Sequence, residues 1–174
     1  MKIHRLITLV ALMLAGGCAA ASAADTQVER GKYLVTIAGC NDCHTPGYFL
    51  GKPDFSRTLA GSDVGFTIPG VGAFVGRNLT PDKETGLGNW TDDQIISAIT
   101  AGIRPDGRKL APIMPWQELS HLDLDDAHAI VAYLRSLPPV KNAVPGPFGP
   151  KEIPSTLVFI IVPGEVAAKL PAPQ

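Results

Sequence analysis

The chain has 174 residues, about the size of one domain, and its formal net charge is −1. That balance excludes the strongly basic face expected of a nucleic-acid binder. Aromatic residues are only 6% of the chain, against 18 Gly and 16 Pro, which predicts a modest core and much turn and loop. A large buried cofactor would add the apolar contact area that such a core lacks.

Residues 1–24 read as a secretory leader. Lys2 and Arg5 make a positive start, Leu6 to Ala15 is an apolar run too short to span a bilayer comfortably, and Ala21 to Ala24 offers small residues for cleavage. Loss of those two cations takes the formal charge from −1 to −3, and export to the periplasm is expected. The stretch Leu14-Ala15-Gly16-Gly17-Cys18 resembles a lipoprotein site, although Ala15 stands where that motif usually has Leu. Cys18 therefore either carries lipid or leaves with the leader. Membrane association is expected only if Cys18 is acylated or the leader stays uncleaved.

The spacing of Val28, Gly31, Leu34 and Ile37 predicts a first helix from Asp25 to Gly39, capped by Asp25 and ended by Gly39. Gly31 costs such a helix about 1 kcal/mol relative to Ala, which close approach of another helix would explain.

Cys40-Asn41-Asp42-Cys43-His44 follows directly, and it is the signature of covalent attachment of a c-type haem. Helical positions three and four apart share a face, so Cys40 and Cys43 can bond one porphyrin while His44 turns its imidazole to the iron. A zinc site would want a second Cys pair, a thioredoxin-like pair would want a βαβ setting, and a structural disulfide would not need the histidine.

Thr45 to Asn89 lacks helical periodicity. Gly65 to Gly76 predicts a short hairpin about Pro69-Gly70, and a haem edge is expected to organise the remainder of this long loop. Thr91 and Gln94 have capping-box spacing, with Ile95, Ile96 and Ile99 as the apolar face and Gly102 as the stop. Leu110 to Trp116 is broken by Pro112 and Pro115 and should be extended or turned. Asp123 to Leu137 predicts a last helix, capped by Asp123, with an apolar stripe of Ala127, Ile130, Val131, Leu134 and Leu137. Residues 140–174 form a proline-rich tail in which Ser155 to Val162 reads as a strand packing on the domain.

Met1 and Met13 lie in the leader, so Met114 is the one methionine expected in the exported chain. Its thioether, on a proline-stiffened loop, is the expected sixth ligand and would favour the ferrous state. His121 and His128 are the rival ligands, read as solvated surface groups. Tyr33, Leu34, Trp90, Ile95, Ile99, Leu110, Pro112 and Trp116 are candidate pocket walls. Arg77, Asn78, Arg104 and Arg108 are candidate partners for haem propionates, because carboxylates removed from water need donors. No internal repeat is visible, so one haem is expected.

Residues Arg30-Gly31-Lys32-Tyr33-Leu34-Val35, Asn78 to Gly86, Asn89 to Asp93, Gly102 to Arg108, Met114-Pro115-Trp116 and Ile130 to Pro139 together resemble a class I cytochrome c domain. The resemblance is to the modules of cytochrome subunits in bacterial periplasmic alcohol, aldehyde and sugar-acid dehydrogenases. It implies a mainly α, small helical domain around one covalent haem over residues 25–139, with long loops. It also implies His44 and Met114 as iron ligands, and a crossing of the first and last helices near Gly31 and Tyr133. The implied function is non-catalytic one-electron transfer. The donor would be a periplasmic dehydrogenase, and the acceptor an oxidase or another cytochrome. The alternative is a haem enzyme or gas-binding protein with an open sixth position. Many such subunits carry two or three haem modules and a membrane anchor, whereas this chain shows one module.

Overall fold

The spacing of apolar residues in the N-terminal segment is realised as a helix, α1, over residues 23–37. It belongs to a computed structural model that describes residues 23–169. Cys18 and nearly all of the expected leader lie outside those residues. Helix α1 already runs at residue 23, so Asp25 lies within it rather than capping it. The chain turns at 38–39, where Gly39 adopts φ 67°, and re-enters helix as α2, Cys40–His44.

Three further helices follow, of which the first and third build the core. Helix α3 spans Asp92–Ala101, and its capping box is complete: Thr91 Oγ1 accepts from Gln94 N at 3.2 Å and Gln94 Oε1 accepts from Thr91 N at 2.9 Å. Gly102 ends it in the left-handed region. Trp116–Leu119 forms the short α4. Helix α5, Leu124–Ser136, begins after Asp123, but that side chain makes no capping hydrogen bond. Leu34, Val35, Ile95, Ala129, Ile130, Val131 and Leu134 interlock as one core. Cys40, Trp90 and Ile99 pack on its edge.

Helices α1 and α5 cross at Gly31. A β-carbon there would overlap the Ala129 carbonyl oxygen and lie 2.9 Å from Tyr133 Cβ. The glycine that weakens α1 locally is therefore the one that lets two backbones touch. Arg30 braces the crossing, donating to both carboxylate oxygens of Asp126 at 2.9 and 2.8 Å.

The hairpin forms as expected, with β1 at Val64–Ile68 and β2 at Gly72–Val75, antiparallel in the register Phe66↔Phe74. The tail supplies β3, Leu157–Ile160, parallel to β1 on its other edge in the register Phe66↔Phe159. A parallel partner requires a long crossover, and the helical core supplies it. Phe49, Phe66 and Phe159 meet in this layer at ring separations of 5.2–5.5 Å. A last short helix, α6, covers Gly164–Ala167. Among the described residues no helix is long and apolar enough to cross a membrane.

The long loop between α2 and α3 has its own organiser. Buried Asn78 donates to Thr85 Oγ1 at 3.0 Å and to Val140 O at 2.7 Å, while its oxygen accepts from Thr80 N and Thr80 Oγ1 at 3.0 and 2.8 Å. All four bonding positions of one amide are satisfied, which accounts for its burial. Thr45, also buried, uses its hydroxyl to accept from Leu59 N at 3.0 Å. Protein hydrogen bonds thus contribute to the order of this loop.

Candidate haem site

Helix α2 places Cys40, Cys43 and His44 on one turn, as their three- and four-residue spacing requires. The turn starts cleanly because Gly39 in the left-handed region redirects the chain out of α1. Both cysteines are half-buried, unpaired thiols. Burial pushes the Cys40 thiol up to about 11 and raises Cys43 in the same direction. Redox-active pairs carry a depressed thiol, and the shift here runs the other way. Among the described residues no group of three or more His, Cys, Asp or Glu is placed to hold a metal ion.

His44 is fixed by an unusual neighbour. Its Nδ1 lies 2.7 Å from the carbonyl oxygen of Arg77 and donates to it, which leaves Nε2 as the lone-pair nitrogen. Burial lowers the imidazole's pKa and the Arg77 carbonyl opposes that shift. The result is a neutral ring with a defined tautomer, the form a metal accepts. The contact depends on Gly76, where a β-carbon would overlap the Cys43 carbonyl oxygen. The strand leaving β2 can lie against α2 only because position 76 has no side chain.

Trp90 and Arg104 are brought together. The Arg104 guanidinium lies over the Trp90 ring at 5.0 Å. Trp90 is held by its own backbone: Arg135 donates to Trp90 O at 2.5 Å, to Leu87 O at 3.0 Å and to Asp92 at 3.0 Å. Trp116 lies against Gly102, where a β-carbon would come within 2.6 Å of the indole. Met114 is half-buried in the turn that directly precedes Trp116. Its N–H bonds Ala111 O at 2.9 Å and its carbonyl accepts from Trp116 N at 2.8 Å. His121 is exposed just after α4 and His128 is half-buried on α5. Tyr33 is 55% exposed, with the Arg30 guanidinium 5.6 Å from its ring centre.

The residues present suit a haem. Arg104 Nε is buried with no hydrogen-bond partner; Asp106, at 3.7 Å, is too far to supply one. Desolvation and then the charges of Arg104 and Arg108 push the Arg77 guanidinium below its ordinary value. Arg77, Arg104 and Arg108 thus share one region with Asp106, which pairs with Arg108 at 2.7 Å and lies 3.7 Å from Arg104, and the remaining positive charge is what two propionate carboxylates would balance. Two thiols on one face, a neutral imidazole and an under-partnered cationic cluster are what a covalently held haem needs.

Sequence reasoning had singled out Arg77 for its charge. The structure gives it a second part through its carbonyl, which no side-chain pattern signals. Gly76 was likewise missed; its only mark is that it ends the glycine-rich hairpin. Arg135 sits in the last turn of α5, and its bonds to the Trp90 segment are visible only in three dimensions.

Comparison with known proteins agrees with this chemistry. The cytochrome c family profile matches residues 28–138. The chain is 35% identical over 135 residues to the fructose dehydrogenase cytochrome subunit of Gluconobacter japonicus, covering 74% of this chain and 26% of that subunit. It is 34% identical over 133 residues to the cytochrome c subunit of the quinone alcohol dehydrogenase of Gluconobacter oxydans, covering 76% and 26%. It is 35% identical over 117 residues to a dihaem c-type cytochrome of Cereibacter sphaeroides, covering 67% and 38%. The chain spans about a quarter of the length of the two dehydrogenase subunits. With its Cys40–His44 turn and its helical core, the chain belongs to the cytochrome c family.

Proposed function

We propose that this chain is an exported, single-haem c-type cytochrome that carries one electron at a time between a dehydrogenase and the respiratory chain. Cys40 and Cys43 are the thioether anchors, and His44 and Met114 are the axial ligands. Trp90 and Trp116 line the pocket, and Arg104 with Arg77 receives the propionates. The bound haem supplies an iron that changes oxidation state by one electron. The observation that carries the reading is the single turn Cys40–His44 with its histidine locked in one tautomer by Arg77 O.

His44 and Met114 would hold the haem iron, and a neutral thioether together with a neutral imidazole would raise its potential and leave it no position for substrate. The haem would then serve electron exchange in the small, transient encounters typical of redox partners. The names of the relatives point to a dehydrogenase as donor, and an oxidase or a further cytochrome is the matching acceptor. Residues 1–24 direct export to the periplasm.

The test is Met114→Ala in the haem-loaded protein. It should abolish the weak red absorption band of ferric iron bonded to sulfur and open the reduced iron to carbon monoxide. An unchanged band, or rapid stoichiometric carbon monoxide binding by the native protein, would favour a haem enzyme or gas sensor instead. Intact mass of the exported protein reports the number of haems, the cleavage point and any lipid on Cys18.

A further inference from the structure

The family profile ends at residue 138, yet the chain beyond it is built into the back of the site. Val140 N donates to Thr80 Oγ1 at 3.1 Å, and Asn142 Nδ2 donates to Ala60 O at 2.8 Å. Asn142 N reaches Thr85 Oγ1 at 3.0 Å. Phe148 and Ala73 exchange backbone hydrogen bonds at 2.9 and 3.0 Å. Val144 sits between these anchors, and Arg77 Nη1 donates to its carbonyl at 2.5 Å. The Val144 side chain fills the space beside Gly61, where a β-carbon would overlap it. Gly61 N in turn donates to His44 O at 2.7 Å, and Ser62 N donates to Gly76 O at 2.9 Å. The segment 140–148 therefore touches the two backbone stretches that contact His44: residues 60–62 and residues 76–77.

We propose that segment 140–148 is a strap that holds the Arg77 carbonyl on His44 Nδ1, making Arg77 and Asn142 positioning residues for the axial histidine. Arg77 is bonded at both ends, by its guanidinium to the strap and by its carbonyl to the ligand. A firm Nδ1–H···O bond makes the imidazole a stronger donor and favours ferric iron. A slack strap lets that bond lengthen, weakens the donor and favours the ferrous state. The tail thereby sets the potential of the carrier from outside the region that the family profile matches.

The experiment uses the full-length, haem-loaded protein with Asn142→Ala and, separately, Arg77→Met. Asn142 is uncharged, so its removal changes no net charge near the iron. Three quantities are measured: backbone amide exchange at Phe148, exchange of the His44 Nδ1 proton in the reduced protein, and midpoint potential by film voltammetry. In both variants the Phe148 amide and the His44 Nδ1 proton should exchange about tenfold faster. Asn142→Ala should shift the ferric–ferrous ratio at fixed applied potential about threefold toward ferrous, or roughly 28 mV at 59 mV per tenfold for one electron. The double variant should move the His44 proton no further than Arg77→Met alone, because the two substitutions break one path.

Faster exchange at Phe148 with an unmoved His44 proton and potential would overturn the strap. An unmoved Phe148 amide in both variants would do so too, since the named anchors would then not hold the segment. The inference rests on His44 being an iron ligand. A native protein lacking histidine–methionine spectra fails that earlier reading; intact spectra with no response to the variants fail this one.

Discussion

The two sides of the candidate site are held by different kinds of bond. His44 is fixed by a hydrogen bond to Arg77, 33 residues away, and segments from 60–62, 76–77 and 140–148 close behind it. Met114 is held by bonds to Ala111 and Trp116, its near neighbours, on a loop whose prolines supply most of its stiffness. Long-range bonds break only when distant segments separate, whereas local bonds open in small cooperative steps. On the proposed ligand set, the histidine side should therefore behave as a permanent mount and the methionine side as a gate.

The largest effect that would break this comparison concerns the mount itself. Replacing Cys40 and Cys43 together by Ala should abolish haem that survives denaturation, read by haem staining of a denaturing gel. Stain of native intensity would refute the thioether assignment. Next, Gly31→Val should displace α5, because the new side chain meets the Ala129 carbonyl with no room to turn. A loss of about 3 kcal/mol or more is expected from overpacking of this kind, measured by denaturant titration. A loss below about 1 kcal/mol would mean the helix crossing is not tight.

Smaller substitutions sharpen the contrast. Thr91→Ala removes the acceptor of the capping box and should cost about 1 kcal/mol, while leaving the haem spectrum unchanged. Pro115→Ala should loosen only the gate. By releasing a constraint worth about 0.4–1 kcal/mol, it should speed displacement of Met114 by added imidazole roughly two- to fivefold in stopped flow. Equal acceleration by Asn142→Ala would show that the two sides are not independent.

Local chemistry made much of this legible from the sequence. The capping box at Thr91 and Gln94 needs only a three-residue spacing, and the structure shows both of its bonds. The hairpin about Pro69-Gly70 needs only alternation and a turn, and β1 and β2 flank that turn. The close approach at Gly31 was inferred from a glycine whose cost in a helix demanded a packing reason. Asp25 and Asp123 were less well read. Both are good caps by residue type, but one lies inside α1 and the other makes no side-chain bond. Asp123 nevertheless stands at the N-cap position of α5, so the helix start was legible there even though the side chain makes no capping bond.

The tail shows the limit more clearly. Its apolar run predicted a strand, and Leu157–Ile160 is one, but nothing in six consecutive apolar residues names β1 as the parallel partner. Nor could the polar and charged residues of 140–148 show that Asn142 would bond Ala60, 82 residues away.

The sequence by itself determined the attachment turn, since a helix must place residues 40, 43 and 44 on one face. It also determined the pieces of secondary structure whose signals are local. Only the tertiary structure decided which carbonyl locks His44, which amide organises the long loop, and which segment closes over the back of the site. Each of those choices is made by a backbone group or by a contact between distant residues. Backbone donors and acceptors are the same at every position, so only the folded chain shows which of them meet.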